Sequence, residues 1–298
     1  MSATDRHEPP GRVVEVQGRK VHFIEAGTGS PTVVFESGMG ANVLDWTRVF
    51  TDLPAPMHRL AHDRAGLGWS DAPSTPRTPA QIVDELEALL GAAGQPPPYV
   101  FVAHSMGSRY ARLFAARHPE AVAGLVLVDG YHESWDLAVG PEALASFIKA
   151  RVQFWKVAAL LGRLGIVRLL GGLTVSLFGP DYRQMPRAER RRYAEILTES
   201  RALEVASQEL IHGGDSNEDL NRASLGDLPV VVIAHGVPFR DPGQEQAWQA
   251  SQVEMAARSS RARLVRAEGS AHSVMIAEPE LVIGAIEEVV AGIATHRT

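Results

Sequence analysis

One serine stands where an apolar run turns abruptly into a helical pattern. The stretch Tyr99 to Phe114, YVFVAHSMGSRYARLF, starts with the apolar run Tyr99 to Ala103 and turns at His104-Ser105-Met106-Gly107. It then continues with Tyr110, Leu113 and Phe114 at helical spacing. A strand-to-helix turn this sharp holds a serine out from the backbone only if the residues two before and two after it are small, as Ala103 and Gly107 are. The pattern is A-x-S-x-G, one methyl group away from G-x-S-x-G. A hydroxyl presented in this way can attack a carbonyl carbon. At neutral pH it needs an imidazole to take its proton and a carboxylate to orient that imidazole. The alternative reading of the same five residues is a serine that only caps a helix.

Other residue patterns limit which chemistry is open. The chain has 298 residues, eleven histidines and no cysteine, so thiolate catalysis, disulfides and cysteine-based zinc sites are excluded. His58 and His62 lie four apart on a predicted strand, which separates them by roughly 13 Å, so no shared metal is expected. The loop Glu36-Ser37-Gly38-Met39-Gly40 follows the short strand Val33 to Phe35, and its glycines let backbone N–H groups approach an anion closely. It does not continue to G-x-G-x-x-G, because Val43 occupies the third glycine position, and no dinucleotide cofactor is expected. Ligands of open parallel sheets lie at the carboxyl ends of strands, which nominates two aspartates, Asp129 and Asp241. His235, after the strand Val230 to Ala234, reads as pocket lining, and His104 as packing beneath the turn. Asp63 and Asp71, in the loop DRAGLGWSD, read as structural.

The elements that must position these groups follow in order. Val13 to Val16 and Lys20 to Ile24 alternate around Gln17-Gly18-Arg19, predicting an antiparallel hairpin at a sheet edge, with Gly27 to Pro31 as a break. Arg59 to His62 is a strand. Ile82, Leu86, Leu89 and Leu90 share one face of a helix opened by Thr78-Pro79. Leu125 to Val128 is a buried strand. From Tyr131 to about Gly226 only helical stretches appear, and then strand–helix alternation resumes at Val230 to Ile233, Gln244 to Ala257, Ala262 to Val265 and Pro279 to Ala291. Successive strand–helix units imply an α/β protein with a mostly parallel sheet covered on both faces. The expected division is a loose tail at 1–10, a core at 11–130 and 227–298, and a helical insertion at 131–226 after the sixth strand.

In order, SGMG after a strand, DRAGLGWSD, AHSMGS and a late GSAH resemble the α/β-hydrolase superfamily over about residues 13–295. The departures are Ala103 for the usual glycine, Ser108 where a third glycine is common, and Ser37 where many members have histidine. The resemblance implies that Ser105 is the nucleophile and that His272, in Glu268-Gly269-Ser270-Ala271-His272, is the base. It also implies that the backbone N–H groups of Met39 and Met106 stabilise an oxyanion, supported by Gly38, Gly40 and Gly107. Most members carry the triad acid on the loop of Asp241, commonly as G-x-x-D. Here Gly236 is followed by Val237-Pro238-Phe239-Arg240-Asp241, a two-residue mismatch. Asp129 sits at the position resembling the acid of haloalkane dehalogenases and is preferred, with Asp241 as the alternative.

Composition sets the remaining expectations. A formal net charge of −6 argues against nucleic acid as a partner. The cluster Arg187, Arg190, Arg191 and Arg192 is interspersed with Glu189 and Glu195 and reads as a solvated helix face. The polar start MSATDRHEPPG lacks the apolar region of a secretory signal, so cytoplasm is the default. The most apolar part of the insertion comprises Phe154-Trp155, Val157 to Leu161, Leu164, Ile166-Val167, Leu169-Leu170 and Leu173 to Phe178. Arg163, Arg168 and several glycines interrupt it, so a membrane span is not expected. It fits a cap lining an apolar acyl pocket, with lipid-surface contact as the alternative. The expected activity is hydrolysis of small hydrophobic carboxylic esters, with short to medium acyl chains, through an acyl-enzyme and without metal or cofactor. Lipase, amidase or peptidase activity, and a non-catalytic receptor that retains the triad, are the competing readings. Nothing in the pattern sets an oligomeric state.

Overall fold

The computed structural model describes residues 9–164, 175, 179–197 and 200–294. Eight strands form one sheet: β1 (Arg12–Val16), β2 (Arg19–Ala26), β3 (Thr28–Glu36), β4 (Met57–His62), β5 (Tyr99–His104), β6 (Val122–Val128), β7 (Val230–His235) and β8 (Ala262–Ala267). Their spatial order is β1-β2-β4-β3-β5-β6-β7-β8. β1 and β2 pair antiparallel, as do β2 and β4, and the other pairings are parallel. The edge hairpin turns through Gln17 (φ +51°) and Gly18 (φ +77°), the two positive angles a tight two-residue turn needs. The break expected at Gly27 to Pro31 is shorter: β3 starts at Thr28, which pairs with Met57 before the register shifts to Val33 opposite Arg59.

Side chains of period two divide the core between the two faces. Val34, Leu60, Phe101, Leu125 and Val232 point to one side, against the helices Pro79–Ala92, Gly107–Arg117 and Pro242–Ala256. Val33, Phe35, Ala61, Val100, Val102, Val126 and Ile233 point to the other, against Thr47–Asp52 and Pro279–Ala294. The parallel register aligns strand ends. His104 lies beside Val128, Val128 beside Ile233, and His235 beside Ala267, so the residues following β5, β6, β7 and β8 open onto one rim.

Between β6 and β7 the described residues form helices Glu133–Val139, Pro141–Arg163, Arg187–Leu197, Ser200–Ile211 and Asn217–Arg222, and a short 3₁₀ segment, Pro180–Gln184. Trp155, Ala159, Leu203, Ala206 and Leu210 form an apolar cluster of their own, and Met39 packs against it from the core. Of the apolar stretch 166–178, only Val175 is among the described residues, and it is buried. Residues 1–8 also lie outside them. No helix among the described residues is long and apolar enough to cross a membrane.

Candidate active site

The turn after β5 holds Ser105 in the left-handed region, at φ +49°. Such a conformation costs a non-glycine residue on the order of 1–3 kcal/mol and persists only where the surroundings fix it. They do so here: Ser105 N–H donates to Val128 O at 3.1 Å, and Ser105 O accepts from Ser108 N and Tyr131 N at 3.1 and 2.9 Å. Gly107 is obligatory for close approach, since a Cβ there would lie 2.5 Å from Glu36 O and 2.6 Å from Ser37 O. The hydroxyl is thereby directed at the loop after β8. Ser105 Oγ lies 2.9 Å from His272 Nε2, and His272 Nδ1 lies 2.6 Å from Asp129 Oδ2.

Asp129 is fully buried, at φ +42°, immediately after β6. Both of its oxygens are saturated. Oδ1 accepts from His235 N at 3.1 Å and Trp248 Nε1 at 2.9 Å. Oδ2 faces His235 Nδ1 at 2.8 Å in addition to His272. Burial alone would raise the carboxyl pKa, but the hydrogen bonds and charges of His235 and His272 outweigh it and hold Asp129 well below the usual carboxylate range. A group so placed stays ionised and can orient an imidazole.

His235 is completely buried and bridges two carboxylates, with Nε2 2.9 Å from Glu245 Oε2. Donation from both ring nitrogens requires the imidazolium. Burial pushes its pKa down, yet the bonds and charges of Asp129 and then Glu245 raise it overall. Glu245 in turn is held below its usual value: burial opposes this, and the Phe239 N–H and His235 outweigh burial. His235 is therefore part of the network behind His272, where the sequence suggested only pocket lining. One signal was available, since His235 ends a strand at the same rim as Asp129. A second lies in Glu245, Trp248, Gln249 and Gln252, a polar stripe at helical spacing; Gln249 Nε2 donates to His235 O at 3.1 Å and Gln252 Nε2 to Gly130 O at 2.8 Å.

The loop after β3 lies directly against the serine. A Cβ on Gly38 would be 3.3 Å from Ser105 Cβ and 2.8 Å from His104 Nδ1. The N–H groups of Met39 and Met106 have no acceptor among the described residues. Gly40 adopts φ +67°, and a Cβ on it would be 2.7 Å from Ala206 Cβ of the insertion. His104 is buried beneath the turn, as expected, with Nε2 donating to His272 O at 2.9 Å and its ring centroid 4.7 Å from that of His272. Burial, then the neighbouring His272, pushes its pKa down to about 3, so it is neutral.

Two carboxylates of the insertion hold the loops. Asp181 accepts from Ala271 N at 3.1 Å and Ser273 N at 2.9 Å, the amides on either side of His272. Glu209 accepts from Gly40 N at 3.0 Å. Neither was foreseen. Glu209 carried a signal, because it shares a face with Ala202, Val205 and Ala206, which are buried, and a lone charge on an apolar face needs a partner.

Asp241 is not brought to His272. It caps the helix Pro242–Ala256, with Oδ1 accepting from Gln244 N at 2.9 Å. Asp63 accepts from Val43 N and Trp69 N at 2.9 and 3.1 Å and from His22 Nδ1 at 2.7 Å, and Asp71 accepts from Lys20 N at 2.9 Å, so both tie loops together. Thr32 Oγ1 is 3.1 Å from His58 Nδ1, while His62 Nε2 is 2.9 Å from Glu36, so the two histidines serve separate partners. No group of three or more potential metal ligands is found among the described residues.

A mostly parallel sheet with a serine on a strained turn after β5 and a histidine on the loop after β8 is the layout of the α/β-hydrolase fold. A family model described as the alpha/beta hydrolase fold matches residues 31–149. The chain has the α/β-hydrolase fold. It is 27% identical over 263 residues to the uncharacterised protein YqjL of Bacillus subtilis (strain 168), covering 88% of this chain and 85% of that one. It is 28% identical over 189 residues to a haloalkane dehalogenase of Sphingobium indicum, covering 62% and 61%. A solved thermophilic esterase from Thermogutta terrifontis superposes with a TM-score of 0.70 at 19% identity, over 95% of this chain and 98% of that one. The chain spans less than half the length of four further curated relatives.

Proposed function

We propose that this hydrolase cleaves carboxylic esters with short to medium apolar acyl chains through an acyl-enzyme on Ser105. The observation that carries the reading is the unbroken line from Ser105 Oγ through His272 to Asp129, at 2.9 and 2.6 Å. In the first step Ser105 Oγ attacks the carbonyl carbon while His272 Nε2 takes its proton, and Asp129 stabilises the imidazolium that forms. The N–H groups of Met39 and Met106 donate to the oxyanion. Collapse expels the alcohol, which takes the proton back from His272. A water then gives its proton to His272 Nε2 and attacks the acyl carbon, and collapse releases the acid as Ser105 Oγ takes that proton back from His272.

The choice between acyl transfer and displacement of halide follows from the nucleophile. A serine oxygen that displaced a leaving group at saturated carbon would become an alkyl ether, which no activated water cleaves under these conditions. An ester on the same oxygen turns over. Side chains beside the site favour an apolar acyl group: Met39 adjoins the insertion's apolar cluster, and the Trp248 and Phe239 rings lie 5.5 and 6.4 Å from that of His272. The test is a stopped-flow assay with p-nitrophenyl butyrate, in which a burst stoichiometric with enzyme is expected and is lost in Ser105→Ala. Ligand-dependent stabilisation without turnover would instead mark a receptor.

A further inference from the structure

Arg64, from the loop after β4, and Glu209, from the helix Ser200–Ile211, meet in a buried position. All five N–H donors of the guanidinium are used. Nε and Nη2 make a bidentate pair with Glu209, both at 2.9 Å. Nη1 donates to Glu36 Oε1 at 2.6 Å and Ser37 O at 2.7 Å, and Nη2 donates to Gly38 O at 2.7 Å. Glu209 Oε2 also accepts from Gly40 N at 3.0 Å. The pair thus grips the loop through the carbonyls of Ser37 and Gly38 and the amide of Gly40. Between the Gly38 carbonyl and the Gly40 amide lies the Met39 N–H, which has no acceptor among the described residues.

We propose that Glu209 is a positioning residue that makes the Met39 N–H competent to receive the oxyanion only while the helix Ser200–Ile211 is seated. This rests on the serine-hydrolase reading of the site. Three further contacts place the same stretch of the insertion on the donor loops. Ala206, one turn before Glu209, is against Gly40; Met39 packs on the cluster containing Ala206 and Leu210; and a Cβ on Gly213 would be 3.2 Å from Met106 Cε. Arg64 lies 5.2 Å from the centroid of the Tyr110 ring on the elbow helix, so the grip is also packed against the element that presents Ser105.

The sign of the effect separates positioning from direct electrostatics. A carboxylate near a developing oxyanion repels it, so removing the charge of Glu209 would speed the reaction if the charge acted through space. Positioning predicts the reverse. Loss of one oriented donor costs on the order of 10²-fold in turnover.

The experiment compares wild type, Glu209→Gln and Glu209→Asp for hydrolysis of p-nitrophenyl butyrate and for inhibition by butylboronic acid, which forms a tetrahedral anion on the serine. Glu209→Gln is expected to lose ~10²-fold in kcat with KM within threefold, and to lose boronic acid affinity in parallel. Glu209→Asp retains the charge but cannot reach both Arg64 and Gly40. It is expected to fold and to fall between the other two, and it decides the matter if burying an amide against Arg64 prevents Glu209→Gln from folding. An active wild type whose folded variants keep kcat within twofold, exceed it, or lose activity without losing boronic acid affinity overturns the coupling alone. A wild type that neither turns over the ester nor binds the boronic acid overturns the serine-hydrolase reading and this inference with it.

Discussion

The floor and the roof of the site are held in different ways. Ser105 and Asp129 follow the carboxyl ends of two parallel strands, His235 ends a third and His272 follows a fourth, so their spacing is set by sheet register over a few residues of backbone. Glu209 and Asp181 reach the site from the insertion, contacting partners 169 and 90–92 residues away along the chain. In the proposed reaction the floor supplies the reacting atoms. The roof restrains the loops that carry the proposed oxyanion donor and His272, and any movement of the segment between β6 and β7 is transmitted to those loops through hydrogen bonds. Strand ends give geometry that survives changes elsewhere, whereas geometry supplied by a docked insertion depends on docking.

The largest effect expected from breaking the floor is at Asp129. Asp129→Asn presents an amide to His272 Nδ1, and where its Nδ2 faces the ring it selects the wrong imidazole tautomer. A loss of about 10⁴ in kcat is expected, with little change in KM. Asp241→Asn is the control, because its oxygen serves the backbone of Gln244 and not the site. Turnover of that variant should be native. A near-native Asp129→Asn measured by steady-state kinetics would separate Asp129 from the chemistry altogether.

That contrast also explains what could be read from the sequence. The sheet was legible because its strands are short apolar runs closed by turn residues, and the elbow because only small residues fit on either side of Ser105. Asp129 was nominated by one general rule about strand ends, and the same rule applied to His235 would have found the second histidine on Asp129. Glu209, Arg64 and Asp181 were not legible as parts of a site. Arg64 lies in DRAGLGWSD, where the aspartates drew attention as loop anchors, and its partner lies 145 residues further on. No local pattern encodes such a meeting, since it depends on how the insertion is seated.

A smaller effect is expected from loosening the roof at Asp181. Its two oxygens take the amides of Ala271 and Ser273, so Asp181→Asn turns one acceptor into a donor facing a donor. The His272 loop shifts without losing any reacting group. A fall of roughly tenfold in kcat at near-constant KM is expected, measured with the same ester, because small misplacements of a base weaken proton transfer without abolishing it. An equal loss in Asp181→Asn and Asp129→Asn would erase the distinction between holding a loop and holding the ring.

The smallest effect tests the cation hidden in the floor. His235 shares Asp129 Oδ2 with His272, and its charge is balanced by Asp129 on one side and Glu245 on the other. Arg266 is a further cation nearby, its Nη2 donating to Gly236 O at 3.3 Å. The bonds and charges of the two carboxylates, which overcome burial, raise the His235 pKa, so the imidazolium persists at pH values where a free histidine has begun to lose its proton. In His235→Gln that positive charge is gone and Asp129 loses a donor. The field behind the Ser105–His272 pair becomes more negative. The ascending limb of kcat/KM against pH should therefore move upward by on the order of one unit, while the plateau rate stays within a fewfold of wild type. Glu245→Gln removes an acceptor from His235 and should shift the limb in the opposite sense if His235 stays charged, since one negative charge has been removed from behind the relay. An unmoved limb in both variants would mean that Asp129 isolates His272 from everything behind it, and the floor would then consist of the three groups alone.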